Sequence, residues 1–147
     1  DAVRVIYNIF EQEPAAQLLP VAKQTGTGII VRVAFDEGVL TGKYKGSETF
    51  ARDDFRRQYF AGDRLARSVK RVEKIRNEFW DSGYSLPQLA LKFALAHPAV
   101  STVIPGIRSR EQAIQNTAVS SLPDLEEEML LRLRDHAWNR AFWYGGK

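Results

Sequence analysis

The run Ile29-Ile30-Val31-Arg32-Val33-Ala34-Phe35 constrains the fold more than any other stretch of the chain. It has the length and β-branched content of a strand, and its nearly continuous apolar character is that of a parallel strand buried on both faces. Parallel neighbours are joined by crossovers, usually helical, and the flanking sequence has that pattern. Residues 3–8, Val3-Arg4-Val5-Ile6-Tyr7-Asn8, read as an earlier strand. Residues 11–25 carry Ala15, Leu18, Leu19 and Ala22 at helical spacing, with Pro14 tolerable in a first turn and Gly26 a stop. Strand, helix and strand make one βαβ unit.

The alternation continues downstream. Residues 45–63 are polar and aperiodic, a long loop of the kind that serves as a lid or binding segment. Residues 64–80 form an amphipathic helix with Leu65, Val69, Val72, Ile75 and Phe79 on one side and Arg67, Lys70, Arg71 and Lys74 facing away. Ser85-Leu86-Pro87-Gln88 opens another helix with a capping box and an early proline. That helix is apolar nearly all round, so burial is expected, and His97-Pro98 ends it, with His97 read as a helix-terminal cation. Residues 100–104 are the last strand, followed by a helix near 109–118. Ser121-Leu122-Pro123-Asp124 is expected to cap a final helix containing Met129, Leu130, Leu133 and His136.

Composition narrows the chemistry. The chain has 147 residues, 44% hydrophobic and 11% aromatic, enough for one globular domain with a core. Without cysteine there are no disulfides, thiolate nucleophiles or cysteine-ligated metals, and His97 and His136 are too few and too far apart for a histidine metal cluster. The net charge of +3 singles out no polyanion, and the basic helix lacks interleaved base-stacking aromatics, so no nucleic-acid partner is expected. No apolar run approaches the roughly 20 residues of a membrane span, and no signal segment opens the chain, so a cytoplasmic location is expected. Asp1 leads almost directly into a strand, as if the chain started within a larger fold.

Two glycine-bearing loops follow strands. After the last strand comes Ile104-Pro105-Gly106-Ile107-Arg108-Ser109-Arg110-Glu111-Gln112, running on to Asn116. Glycine permits close backbone approach, and a helix start with its free N–H groups attracts phosphate, to which Arg108 would add a charge-assisted fork. The same residues equally fit a cap in which Ser109 and Gln112 satisfy backbone groups. After the middle strand, Gly38, Gly42 and Lys43 sit where parallel α/β folds place ligands, either cradling a phosphate or forming a plain turn with a solvated lysine. The spacing is not that of a P-loop.

Taken together, residues 3–8, the segment from Arg32 through Gly38-Val39-Leu40-Thr41-Gly42-Lys43-Tyr44, residues 90–97, and Ile104-Pro105-Gly106-Ile107-Arg108 with Gln112 and Asn116 resemble the C-terminal half of an aldo-keto reductase. The similarity is to the branch that includes bacterial general reductases and potassium-channel β subunits, and it spans all but the aromatic tail, residues 137–147. It implies a partial (β/α)8 TIM barrel, roughly strands six to eight with their helices, in one domain over residues 1–147. An open edge of parallel strands then requires the missing N-terminal half, or a second copy, to cover it. The implied cofactor is NADP(H), with no metal, and the implied substrate a small carbonyl compound. By position, Arg32, Val33, Ala34 and Phe35 line the cofactor by backbone, while Lys43, with Gly38 in its loop, and Arg52 hold the diphosphate or phosphate. Gly106 approaches the cofactor, Arg108 meets the 2′-phosphate, and Gln112 and Asn116 contact adenine or ribose. The family's catalytic tetrad of Tyr, Lys, Asp and His maps onto no residue here, so this chain by itself is expected to be inactive, whether it is an excised piece, a proteolytic remnant or one part of a split chain. A noncatalytic NADP-binding or interaction module is the alternative. The sequence departs from the family at Val33-Ala34-Phe35, at Gln115, and at Arg4, which stands where a nicotinamide-contacting glutamine is common.

Overall fold

The computed structural model describes residues 1–140. Three parallel strands form one sheet in the order of the chain: β1 (Ala2–Ile6), β2 (Gly28–Arg32) and β3 (Val100–Ile104). Ala2 to Ile6 stand beside Gly28 to Arg32 in unbroken register, and β2 meets β3 with one irregularity between Ile29 and Ile30. The expected α/β alternation with parallel strands is therefore present. Burial on both faces is not. Ile29 and Val31 are fully buried, whereas Gly28, Ile30 and Arg32 are only half-buried. Register places Arg4 and Thr102 beside Ile30 on that second, open face, and both are exposed. The composition of β2 suits a sheet covered on both sides, but among the described residues a full layer covers one side.

Helix α1 (Leu18–Thr25) links β1 to β2 and is shorter than its periodicity suggests. A 3-10 turn, Glu13–Ala15, precedes it. Pro20 explains the break: it lacks an N–H and is tolerated only in a first turn, so the helix restarts just before it. Gly26 ends α1 at φ 67°, with the Thr27 N–H bonded to the Ala22 carbonyl.

Between β2 and β3 lie α2 (Arg56–Tyr59), α3 (Arg64–Glu78) and α4 (Leu86–Leu95). Helix α2 falls inside the expected loop, where the Asp54 carboxylate accepts the Arg56 N–H at 2.9 Å and starts the turn. Leu65, Val72, Ile75 and Phe79 of α3 are buried as expected. Its basic side is less free than its charge suggests, because the Arg67 and Arg71 guanidinium groups lie 5.4 and 4.4 Å from the centre of the Trp138 ring. Helix α4 has the full Ser85 capping box and buries Leu89, Ala90, Leu91, Phe93 and Ala94, packing against β3 and the turn of residues 36–41, each large aliphatic or aromatic side chain contributing about 1.5–3 kcal/mol. Its Lys92 is buried with Nζ 2.8 Å from Asp124.

After β3 come α5 (Arg110–Ala118) and α6 (Glu127–Arg134). Asp124 does not cap α6; it is drawn to Lys92, and the helix begins after Glu126 with no side-chain cap. His97 also differs from expectation. Burial, and then the neighbouring charges of Arg134 and Lys23, push its pKa down, and Nδ1 accepts the Ala99 N–H. It is a neutral acceptor rather than a terminal cation. Of the aromatic tail, Trp138 is described and buried, its N–H bonded to the Phe10 carbonyl; Phe142, Trp143 and Tyr144 lie outside the described residues. Among the described residues no helix is long and apolar enough to cross a membrane.

Candidate functional site

The C-terminal ends of the strands carry every loop that sequence reasoning singled out. Strand β2 was expected to run to Phe35 but ends at Arg32, because Val33 adopts φ 59°. Two interactions turn the chain there: the Asn8 amide donates to the Val33 carbonyl at 2.9 Å, and the Asp36 N–H donates to the same oxygen at 3.0 Å. Asn8 is itself fixed, its Oδ1 accepting the Phe10 and Glu11 N–H groups at 2.9 Å each. Asp36 and Glu37 follow at φ 47° and 55°, then Gly38 at 94°. Left-handed conformations at non-glycine residues cost of order 1–3 kcal/mol each and persist only where the surroundings hold them. The turn after β2 is thus strained backbone held by its neighbours.

That turn presents Gly38 to Lys43. The Lys43 ammonium rests 4.9 Å from the centre of the Tyr44 ring, and a Cβ on Gly38 would come within 2.9 Å of both Cε and Nζ. Tyr44 donates to the Glu37 carbonyl and receives a bond from Arg56. Arg56 in turn grips Asp54 through Nε and Nη2, and this pairing holds the Asp54 carboxyl at about 2. Arg52 is exposed in a shallow depression with Asp53, Phe55, Arg57 and Gln58. The segment around Asp54 and Arg56 and the strained turn are thereby one connected unit.

The loop after β3 resolves the contest between cap and anion site in part. Ser109 Oγ accepts the Gln112 N–H at 3.1 Å, and Gln112 Oε1 accepts the Arg108 N–H at 2.7 Å. Gln112 is therefore engaged as a cap, in a box displaced by one residue, since its return bond reaches Arg108 rather than Ser109. The Arg108 side chain is exposed. Nothing lies within 4 Å of a Cβ built on Gly106, so a ligand has room to approach its backbone. Asn116 Nδ2 is buried without a hydrogen-bond partner, a costly state for an amide. Such an orphaned donor, one open glycine and two cations from separate loops fit an anionic nucleotide. Arg32, Val33, Ala34 and Phe35 sit at the strand end and in the turn, with Ala34 fully buried. Among the described residues no cluster of acids and histidines could hold a metal ion.

Sequence reasoning passed over a buried polar knot beneath the same turn. Asp36, fully buried, accepts from the Tyr59 hydroxyl and from Arg140 Nη2 at 2.6 Å each, and Arg140 Nε reaches Glu11 at 3.1 Å. Burial first, and then the Asp36 charge, push the Tyr59 phenol far above its ordinary range. Burial opposes the Arg140 charge, but Asp36 and Tyr59 more than offset it and raise its pKa. Glu37, half-buried beside Asp36, is raised by burial and by that neighbour. The signal available in the sequence was the adjacent pair Asp36-Glu37 directly after an apolar strand.

Comparison with known proteins bears on these elements together. The model of the aldo/keto reductase family matches residues 1–137. The chain is 28% identical over 120 residues to a pyridoxal 4-dehydrogenase of Microbacterium luteolum, covering 80% of this chain and 32% of that protein. It is 31% identical to a probable voltage-gated potassium channel subunit beta of Oryza sativa subsp. japonica, covering 84% and 40%. The solved glycerol dehydrogenase of Gluconobacter oxydans superposes with a TM-score of 0.80 at 20% identity, covering 92% of this chain and 41% of that one. The chain thus spans well under half the length of the relatives it matches.

Proposed function

The chain belongs to the aldo/keto reductase family, and we propose that it forms the NADP(H)-binding portion, strands six to eight with their helices, of a (β/α)8 barrel that reduces an aldehyde or ketone by hydride transfer. The observation that carries this reading is that the parallel sheet places both loops at one end, where the loop after β3 leaves Gly106 open and runs into the helix whose Asn116 Nδ2 is buried without a partner. A nucleotide with two separated phosphate groups suits such paired loops.

In this reading the residues after β3 hold the adenosine end: the Gly106 backbone approaches it, Arg108 pairs with the 2′-phosphate, and Asn116 gives its orphaned donor to the base or ribose. Gln112 contributes by holding the Arg108 backbone in place. Lys43 and Arg52 neutralise the diphosphate, while Arg32 and the backbone of Val33, Ala34 and Phe35 line the cofactor toward the barrel mouth. NADPH, when bound, supplies the hydride. In this reading the general acid is not among the described tyrosines: the hydroxyls of Tyr44, Tyr59 and Tyr84 bind the Glu37 carbonyl, Asp36 and the Pro123 carbonyl, and Tyr7 is buried with its ring stacked on Phe93. The same observation favours the alternative, a noncatalytic NADP-binding or interaction module. The open sheet face, with Arg4, the half-buried Ile30 and exposed edges at Val3 and Ile104, supports an N-terminal barrel half or a second copy as the covering partner. A cytoplasmic location accords with these roles.

The test is titration with NADPH and NADH, followed by nicotinamide fluorescence, on the protein as its gene encodes it. Arg108→Ala should weaken NADPH roughly 10- to 100-fold, the range for a lost charge-assisted contact, and leave NADH nearly unchanged. Equal affinity for both nucleotides would remove the assignment of Arg108. NADPH binding without turnover of any aldehyde or ketone would select the noncatalytic module.

A further inference from the structure

Asp36 stands at the point where four separate segments meet. It is the third residue after Val33 in the strained turn that leads to Gly38 and Lys43. Its Oδ1 binds the hydroxyl of Tyr59, the last residue of the lid helix α2, and Nη2 of Arg140, in the segment that follows α6. Through Nε, Arg140 also holds Glu11, in the loop leaving β1. The Arg140 side chain is 1% exposed and that of Asp36 fully buried, and Arg140 lies 5.2 and 4.7 Å from the ring centres of Phe10 and Trp138. Trp138 is tied to the same β1 loop by its main-chain bond to Phe10.

An ion pair this deep is weak evidence for stability, since apolar residues of similar volume often serve as well or better. Its geometry suits a different task. Three consecutive left-handed residues, Asp36, Glu37 and Gly38, relax unless something outside the turn holds them; Asn8 holds the Val33 carbonyl at its start, and Tyr59 and Arg140 hold the Asp36 side chain at its centre. We infer that Arg140 and Tyr59, acting through Asp36, are positioning residues that latch the Gly38–Lys43 turn and the lid into the arrangement that receives the cofactor diphosphate. This rests on the NADP(H) reading above and extends it to the C-terminal segment. The hydrogen bonds described for the latch join the loop after β2 to Tyr59, Arg140 and Glu11, and these are not residues of the loop after β3. Its described bonds bear on the diphosphate side, so the expected effect is on that grip more than on the 2′-phosphate and adenosine.

Two probes separate these grips. NADPH engages both, whereas adenosine 2′,5′-bisphosphate, lacking the diphosphate bridge, relies on the Gly106–Asn116 side. Calorimetric titration of both into the protein as its gene encodes it, and into Arg140→Met, Arg140→Lys and Tyr59→Phe, tests the latch. Arg140→Met should weaken NADPH about tenfold or more, as expected for one lost charge-assisted contact, and leave adenosine 2′,5′-bisphosphate within about twofold. Arg140→Lys should recover part of the loss, and Tyr59→Phe should show the same split at smaller size. Unchanged NADPH affinity in a folded variant overturns the inference, as does equal weakening of both probes, which would mark a general structural role. If Arg140→Met does not fold, the same split in Arg140→Lys and Tyr59→Phe decides the matter. If the unsubstituted protein binds neither probe, the NADP(H) reading itself fails; if it binds both and no variant separates them, only the latch fails.

Discussion

Replacing Asn8 with alanine should destabilise the protein by about 3 kcal/mol, a figure that follows from three hydrogen bonds of unequal worth. Asn8 is fully buried, and its amide serves the Val33 carbonyl and the Phe10 and Glu11 N–H groups at 2.9 Å each. The Val33 carbonyl keeps the Asp36 N–H as a donor, so its loss is the ordinary ~1 kcal/mol of one net hydrogen bond. The Glu11 N–H is only partly buried and regains water, costing roughly 0.5 kcal/mol. Phe10 is 1% exposed, so its N–H stays in the interior unpaired, at a cost of about 1–3 kcal/mol. The assay is equilibrium urea unfolding with an unchanged denaturant slope. A loss below about 1 kcal/mol would refute the claim that Asn8 is what holds the turn. Asn8→Asp sharpens the test through pH. The carboxylate still accepts both N–H groups but places negative charge against the Val33 carbonyl, so the fold favours the protonated acid and raises its pKa. The deficit of Asn8→Asp relative to Asn8 should therefore be largest at neutral pH and shrink as pH falls through the raised folded value. A deficit that stays constant between pH 7 and 4 would contradict the contact.

The other expectations are checked more simply. Gly38→Ala must hold φ 94° and push the Lys43 ammonium aside; it should cost about 1–2 kcal/mol in unfolding, and NADPH affinity in the fluorescence titration should fall, with unchanged affinity counting against Lys43 as a phosphate ligand. His97 should titrate below its ordinary value of 6.5, because burial and the nearby Arg134 and Lys23 disfavour its charge. Its depressed folded pKa means its contribution to stability is present above pH 6.5 and lost on acidification through the folded value, and an NMR midpoint at or above 6.5 would contradict the neutral assignment. Leu133→Ala, at a fully buried position in α6, should cost about 2–5 kcal/mol in urea unfolding; a smaller effect would mean that α6 is not packed on the core.

Much of the architecture was legible because it depends on near neighbours along the chain. Gly26 ends α1 through a bond to Ala22, Ser85 and Gln88 exchange bonds within one turn, and Ser109 caps α5 through Gln112. The parallel order follows from apolar strands separated by helices, which admit few other connections. The two glycine-bearing loops were likewise visible, since glycine and basic residues after a strand are local marks.

What was not legible depends on residues remote in sequence. Composition alone extends β2 to Phe35, yet the strand ends at Arg32 because Asn8, 25 positions before Val33, captures its carbonyl. Asp36 looks like a loop acid until Arg140, 104 positions later, is brought to within 2.6 Å. Arg67 and Arg71 look solvated until Trp138 is placed beneath them. Periodicity, capping and turn chemistry, set by interactions within a few residues, are properties of the sequence by itself. The end of β2, the strained turn and the buried Asp36–Arg140 pair belong to the tertiary structure, because left-handed backbone and a buried ion pair are stable only when several distant segments converge to hold them.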